Sequence, residues 1–465
     1  MKCERNGGRM NMSDNISMDF NRRDFLRGGS FATLATLLGG VELVAQAPKD
    51  KDATTYATGP AFTMKCAVIG LGSWGRDVLA TLSRLKEAEI VAICDTYPAS
   101  LKRSAASAPK ARQVANYKEI LDDKEIQAVI IATPSHLHKE IVLAALQAGK
   151  HVYCEAPLAA TIDDAKAIAR AAIANPKVYF QPGLQNRSEP QRHFLLPFMR
   201  SNAVGTYLMA RAQWHKKTSW RAASPNPDRE KELNWRLNRE TSPGLIGEVN
   251  IHHLDGAAWY LRGLPAAVSG FGGILHWNDG RDVPDTVQAV LEFPRGVNLM
   301  VHSTLGNSFD ADYEMYYGTD AAVMVREGKA WMFKEVDSPL LGWEVYARKD
   351  MFYKETGISL VANATKLVAI TEKAGEKSLA ETPLRYALEA FLTNSNEVAT
   401  GVEDFLATFA NSDTNAVRKH VATLKLQPAA TVKEGFEATV VALKANEAVL
   451  KGSKIKLEKE LFSLA

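Results

Sequence analysis

Apolar and polar positions along the chain change their rhythm twice. From residue 64 to about 185, short unbroken apolar runs alternate with segments of helical period. MKCAVI (64–69) precedes WGRDVLATLSRL (74–85), EIVAIC (89–94) stands alone, and AVIIA (128–132) precedes KEIVLAALQAGK (139–150) and the run HVYC (151–154). Unbroken apolar runs separated by helices mark strands buried on both faces, hence a parallel, doubly wound α/β sheet. From about 186 the pattern changes. SEPQRHFLLPFMRSN predicts a helix and TYLMARAQWH (206–215) a strand; a long polar stretch with prolines then runs to Pro243. GLIGEVNIHHLDGAAWYL (244–261) has one continuous helical period. AAVSGFGGILHW, DTVQAVLEFP, NLMVHSTL and YEMYYG follow as strands, split by turn signals such as Asn278-Asp279-Gly280. That order predicts an α+β domain built on a large, mostly antiparallel open sheet. Residues 336–383 read as an insertion. The closing helix, EGFEATVVALKANEAVLKGSKIKL, is expected to return toward the first domain. The expected boundaries are 64–185 for the α/β domain and 186–465 for the α+β domain, with no internal repeat.

Composition changes this picture little. The chain has 465 residues, 46% hydrophobic and 23% charged, with a net charge of +3. That suits an ordinary globular chain and gives no reason to expect nucleic acid or an acidic membrane as partner. Of four cysteines, Cys3 lies near the start, and Cys66, Cys94 and Cys154 sit in apolar runs without metal-ligand spacing. No disulfide framework and no metal site are expected.

The segment before residue 64 does not fit the fold. Asn21-Arg22-Arg23-Asp24-Phe25-Leu26-Arg27 is a twin-arginine pattern, followed by a moderately apolar run from Gly28 to Ala45 and by Ala45-Gln46-Ala47, which resembles a cleavage site. Residues 1–47 are therefore read as an export signal and 48–63 as a linker, which places the mature chain in the periplasm or otherwise outside the cytoplasm. The apolar run is too short and too rich in glycine for a membrane span.

The first domain carries a specific constellation. Gly70-Leu71-Gly72-Ser73-Trp74-Gly75 joins a strand to a helix. In that context Gly70 allows the tight turn, Gly72 the approach of a pyrophosphate, and Gly75 close packing of helix on strand. The helix start that follows, at Ser73 and Trp74, faces the anion. Asp95 ends the second strand, twenty residues after Gly75. A carboxylate there accepts ribose hydroxyls and repels a 2′-phosphate, which favours NAD over NADP. Thr133, Pro134, His136 and His138 follow the third apolar run, and Glu155 and Ala156 follow HVYC, all on the cofactor edge of such a sheet. The two histidines either reach the ligand or cap the next helix.

In the second domain, Glu248, His252 and Asp255 stand at i, i+4 and i+7 of the predicted helix, on one face. A histidine flanked by carboxylates suits a general base, with Glu248 orienting His252 and Asp255 holding either substrate or histidine. His253 lies about 100° round the helix. A divalent metal on the same three residues, or three satisfied structural groups, are competing readings. The polar stretch 216–243 holds Trp220 and Trp235, suited to stacking on a sugar ring. Arg187, Lys216 and His253 are further candidates for substrate contact, Lys216 or Lys217 as a substitute amine. A solvated loop with interface aromatics reads equally well.

These residues together resemble the Gfo/Idh/MocA family of sugar oxidoreductases over nearly all of 64–465. The carriers are GLGSWG (70–75), Asp95, ATPSHLH (132–138), AGKHVYCEAPLA (148–159) and GEVNIHHLD (247–255). The resemblance implies NAD as cofactor and a carbohydrate or glycoside as substrate. It also implies a homo-oligomer, dimer or tetramer, formed through the open sheet. Most members carry Glu-Lys-Pro where this chain has Glu155-Ala156-Pro157, and Asp-x-x-x-His where it has Glu248 to His252. The family's NAD-dependent glycosidases also lack that lysine. Export adds a constraint, because no diffusible NAD pool is expected outside the cytoplasm: the cofactor must stay bound and be restored in each cycle. Oxidoreduction with an internally recycled cofactor is the first expectation. Glycoside cleavage by oxidation, elimination, addition and reduction is the second, and a non-catalytic sugar- or nucleotide-binding protein the third.

Overall fold

The computed structural model describes residues 62–347, 349–352, 355–360, 382–410 and 413–465. The leader (1–47) and nearly all of the linker (48–63) lie outside the described residues. The first sheet has six strands: β1 (Met64–Ile69), β2 (Ala88–Cys94), β3 (Arg112–Val114), β4 (Ala128–Ile131), β5 (His151–Cys154) and β6 (Phe180–Pro182). Their order is β3-β2-β1-β4-β5-β6 and every pairing is parallel. The order reverses between β1 and β4, so a crevice opens there at the carboxyl ends of the strands. β4 and β5 are buried at every position, as their unbroken apolar runs require.

Both faces of this sheet are covered, each in part by a helix from a distant part of the chain. Leu384, Ala387, Leu388, Phe391 and Leu392 of the helix Pro383–Phe409 join Val68, Val78, Leu82 and Ile130 in one core. Phe436 and Val440 of the last helix, Val432–Lys451, join Ile69, Val129 and Val152 in the other. The last helix opens with a capping box, Thr431 with Glu434, and stops at Gly452 in the left-handed conformation.

Among the described residues the second sheet has ten strands, antiparallel except for one pair, with the short β16 (Ile455–Lys456) at one edge. Its centre is β7 (Tyr207–His215), β8 (Ala267–Gly273), β9 (Thr286–Glu292), β10 (Asn298–Thr304) and β11 (Asp312–Gly318). β7 and β10 run parallel, which needs the long crossover through 216–297. Alternation puts Val287, Ala289, Leu291, Leu299 and Val301 on the covered face; Phe271, Val290 and Met300 remain exposed on the other. Beyond β11 come β12 (Ala321–Arg326) and β13 (Lys329–Lys334). The described part of the expected insertion adds β14 (Lys349–Phe352) and β15 (Glu355–Leu360) to that edge. Residues 361–381 of that insertion lie outside the described residues.

Two local readings need correction. The stretch 216–243 is not wholly irregular: it contains a two-turn helix, Pro227–Leu233, and a short turn of 3₁₀ helix, Trp235–Leu237. The Asn226 side chain accepts from the Asp228 and Arg229 amides, and Pro227 takes the first helical position. Nor is 244–261 one helix. It breaks after Glu248 into Gly244–Glu248 and Ile251–Leu261. Asn250 sits at the break, fully buried, where Ser303 Oγ donates to its Oδ1 at 2.8 Å and its Nδ2 meets His253 Nδ1 at 3.1 Å. The tertiary bond from Ser303 outweighs the continuous helical period.

Candidate functional site

The glycine turn adopts the expected shape. Gly70 has φ +94°, and a Cβ there would lie 2.7 Å from the Ala132 carbonyl carbon. A Cβ on Gly75 would collide with the Gly70 carbonyl oxygen, so helix and strand touch through glycine. At Gly72 nothing lies within 4 Å of the Cβ position, which leaves open space before the start of the helix Ser73–Leu82. Asp95 accepts from the Leu71 amide (2.9 Å) and the Tyr97 amide (2.8 Å), so its carboxylate is held at the mouth of the turn.

A single cleft of about 2470 Å³ runs from this turn to the second domain. Ligand pockets of roughly 300–1000 Å³ serve a drug-sized molecule, so there is room for a dinucleotide and a second ligand. Ser73, Trp74, Asp95, Thr133, Pro134, His136, Glu155 and Ala156 line one part of it. Lys216, Trp220, Trp235, Glu248, His252 and His253 line the other. Five buried polar atoms of its walls have no partner: Thr133 Oγ1, His136 Nδ1, Glu155 Oε1, Arg229 Nε and His252 Nδ1. Buried polar atoms are normally bonded, so orphans gathered in one cleft fit an enclosed polar ligand.

Three of the candidates, Asp255, Arg187 and His138, are committed elsewhere. Asp255 does not line the cleft; its carboxylate takes a bidentate pair from Arg187 (2.8 and 2.9 Å), and Arg187 also binds Glu434 at 2.7 Å. Arg187 lies against the Trp259 ring. This triad, with Arg187 and Asp255 buried and Glu434 half-buried, ties the start of the second domain to the last helix and leaves neither Arg187 nor Asp255 free for a substrate. His138 is likewise enclosed, with Nε2 at 2.9 Å from the Thr133 carbonyl and Nδ1 at 3.1 Å from the Pro157 carbonyl. Its ring is committed to joining two strand ends.

Glu248 lines the cleft but does not orient His252. Because the helix breaks after it, Glu248 accepts from Ser135 Oγ at 2.9 Å and meets Arg236 Nε at 3.3 Å. It therefore links the two domains. Burial pushes its carboxyl upward against the pull of Arg236 and Ser135. Arg236 itself lies between Trp235 (4.8 Å) and Trp220 (5.6 Å), and Trp214 stands beside Trp220. The sequence reading missed Arg236, Trp214, Ser135 and Asp312. Arg236, Trp214 and Ser135 each lie next to or near a named candidate in the sequence, whereas Asp312 carries no sequence signal.

The adjacent histidines are shifted in opposite directions. Burial, with His253 adding, pushes His252 down to about 4, so it is neutral and able to accept a proton. Burial also draws His253 down, but Asp312 at 2.8 Å outweighs it and raises His253 above the ordinary value. Glu155, beside Ala156, is pushed by burial up to about 7, against the pull of Trp74, the Ala156 amide and Arg236. A carboxyl raised on folding stabilises the fold fully below its unfolded pKa, and that contribution is lost as pH rises through about 7. Glu155→Gln cannot ionise. It is expected to exceed the wild type in stability at pH 8.5 by up to about 3 kcal/mol and by little at pH 5. Urea unfolding at both pH values checks this, and an equal difference at both would refute it.

Comparison with known proteins agrees with this architecture. Residues 64–183 match the model of the oxidoreductase family with an NAD-binding Rossmann fold, and residues 198–324 match the GFO/IDH/MocA C-terminal domain. Inositol 2-dehydrogenase of Salmonella paratyphi B is 28% identical over 202 residues, 43% of this chain and 55% of that protein. Levoglucosan dehydrogenase of Pseudarthrobacter phenanthrenivorans is 34% identical over 155 residues, 33% of this chain and 37% of that protein. The chain thus spans about half or less of the length of these curated relatives. A solved levoglucosan dehydrogenase, in complex with NADH and L-sorbose, superposes with a TM-score of 0.62 at 18% identity. The superposition covers 85% of this chain and 99% of that one, a likeness of fold.

Proposed function

Because the chain belongs to the Gfo/Idh/MocA oxidoreductase family, we propose that it is an NAD-dependent oxidoreductase acting on a hydroxyl of a sugar or glycoside. The orphaned polar atoms gathered between the glycine turn and the tryptophans carry this reading. Gly70, Gly72, Gly75 and the start of the following helix would hold the pyrophosphate, and Asp95 the adenosine ribose. The dinucleotide, when bound, supplies the hydride acceptor. Trp214, Trp220 and Trp235 offer aromatic faces to a sugar ring, and Lys216 is an exposed cation on the cleft wall. His252 accepts the hydroxyl proton, with the His253–Asp312 pair fixed beside it.

The twin-arginine leader supports export, and export supports a captive cofactor that each cycle restores. A second reading, glycoside cleavage, is favoured by Ala156 in the lysine position and by Glu155, a second group able to carry a proton near neutrality. To test the first, the folded, exported protein is denatured and the released dinucleotide counted. One NAD or NADH per chain, with label transfer to or from a sugar, is expected. No nucleotide and no uptake on adding NAD would leave a binding protein on the same fold.

The exposed face of the second sheet supports assembly through this face. Phe271 is 66% exposed, Met300 45% and Val290 38%, and Met300 and Val290 are cross-strand partners. A self-complementary apolar face suits a second copy. Met300→Lys is expected to shift the protein toward monomers in light scattering. An unchanged mass would argue against this interface.

A further inference from the structure

The adenosine end of the cleft is closed by a residue of the second domain. Arg229 lies in the two-turn helix Pro227–Leu233, whose base is fixed to its own loop. Asn234 exchanges two bonds of 2.8 Å with the backbone of Ala222, and Arg221 pairs with Glu230 at 2.5 Å. From there the Arg229 side chain crosses to the end of β2. Its Nη2 is 3.6 Å from Asp95 Oδ1, and its Nη1 is 3.3 Å from Thr96 Oγ1 and 2.6 Å from Glu232. Its guanidinium stands 4.5 Å over the Tyr97 ring, and its Nε is buried without a partner. Asp95 is the carboxylate that the glycine-turn geometry assigns to ribose.

We infer that the helix Pro227–Leu233 is a clamp on the adenosine half of the dinucleotide, with Arg229 as the residue that touches it. This rests on the reading of the cleft as a dinucleotide site. The planar guanidinium offers a face to the purine, and the orphaned Nε a donor to a ribose oxygen. The Arg229–Asp95 contact, longer than a direct hydrogen bond, yields to the ribose hydroxyls. The clamp comes from a different domain than the glycine turn, so the nucleotide leaves only after a contact across the cleft opens. Such a contact acts chiefly on the dissociation rate. It also serves a protein that must keep its cofactor.

The test follows NADH fluorescence as bound nucleotide is chased from the full chain by excess NAD. Arg229→Ala is expected to speed release about tenfold to a hundredfold, from the loss of a stacked cation and a charged hydrogen bond. Arg229→Lys keeps the charge, loses the planar face, and is expected to fall between. Titration separates the clamp from general damage: the variants weaken for ADP-ribose and not for nicotinamide mononucleotide. Equal weakening for both halves, or equal release rates in wild type and variants, overturns the clamp alone. A wild type that binds neither NADH nor ADP-ribose overturns the dinucleotide reading and the clamp with it.

Discussion

Arg187→Met destabilises the protein by about 3–5 kcal/mol, the cost of leaving a buried carboxylate without its partner. Asp255 is 4% exposed and receives both of its short bonds from Arg187. Without the guanidinium it must be protonated or stay charged away from water, and Glu434 loses its bond as well. The double variant Arg187→Met/Asp255→Leu is expected to recover most of the loss, because apolar groups of similar volume often replace a buried ion pair without penalty. Denaturant unfolding of the three proteins checks both statements. A cost below about 1 kcal/mol for Arg187→Met would show that the triad is not a structural tie. The same variants bear on the assignment of Asp255: a structural residue changes stability, and bound nucleotide follows only as far as the fold does.

His252→Ala is expected to slow hydride exchange with a sugar by 10²- to 10⁴-fold, the usual contribution of a positioned proton-transfer group. Bound nucleotide should remain at wild-type stoichiometry, because His252 stands on the helix Ile251–Leu261, away from the glycine turn and Asp95. Single-turnover rates and nucleotide counts on the same preparation separate the two effects. The pH profile adds a sign. His252 is neutral above about 4, so its limb of kcat/KM lies at low pH; Glu155 titrates at about 7. An acid limb near 7 that vanishes in Glu155→Gln would make Glu155, beside the missing lysine, the proton carrier. A limb near 4 that vanishes only in His252→Ala would leave the role with the histidine. Loss of nucleotide together with rate would refute the separation.

The sequence by itself determined the first domain and the outline of the second. Unbroken apolar runs require strands buried on both sides, GLGSWG between a strand and a helix requires a turn only glycine makes, and period-two strands require one covered and one open face. All are local properties, because side-chain period and backbone freedom are set within a few residues. Most of the candidate cleft was legible for the same reason: in a parallel sheet the residues after each strand meet at one edge. What the tertiary structure alone decided lies where distant groups compete with local pattern. The period of 244–261 is helical throughout, yet buried Asn250 bonds to Ser303 and breaks it, and Glu248 turns to Ser135 and Arg236 instead of His252. Asp255 keeps its place on the helix face but faces Arg187, 68 residues earlier. Arg229 reaches Asp95 and Thr96 from the other domain. Periodicity tells which residues share a face. It does not tell what that face meets, because the partner is brought there by the packing of elements far apart in the chain.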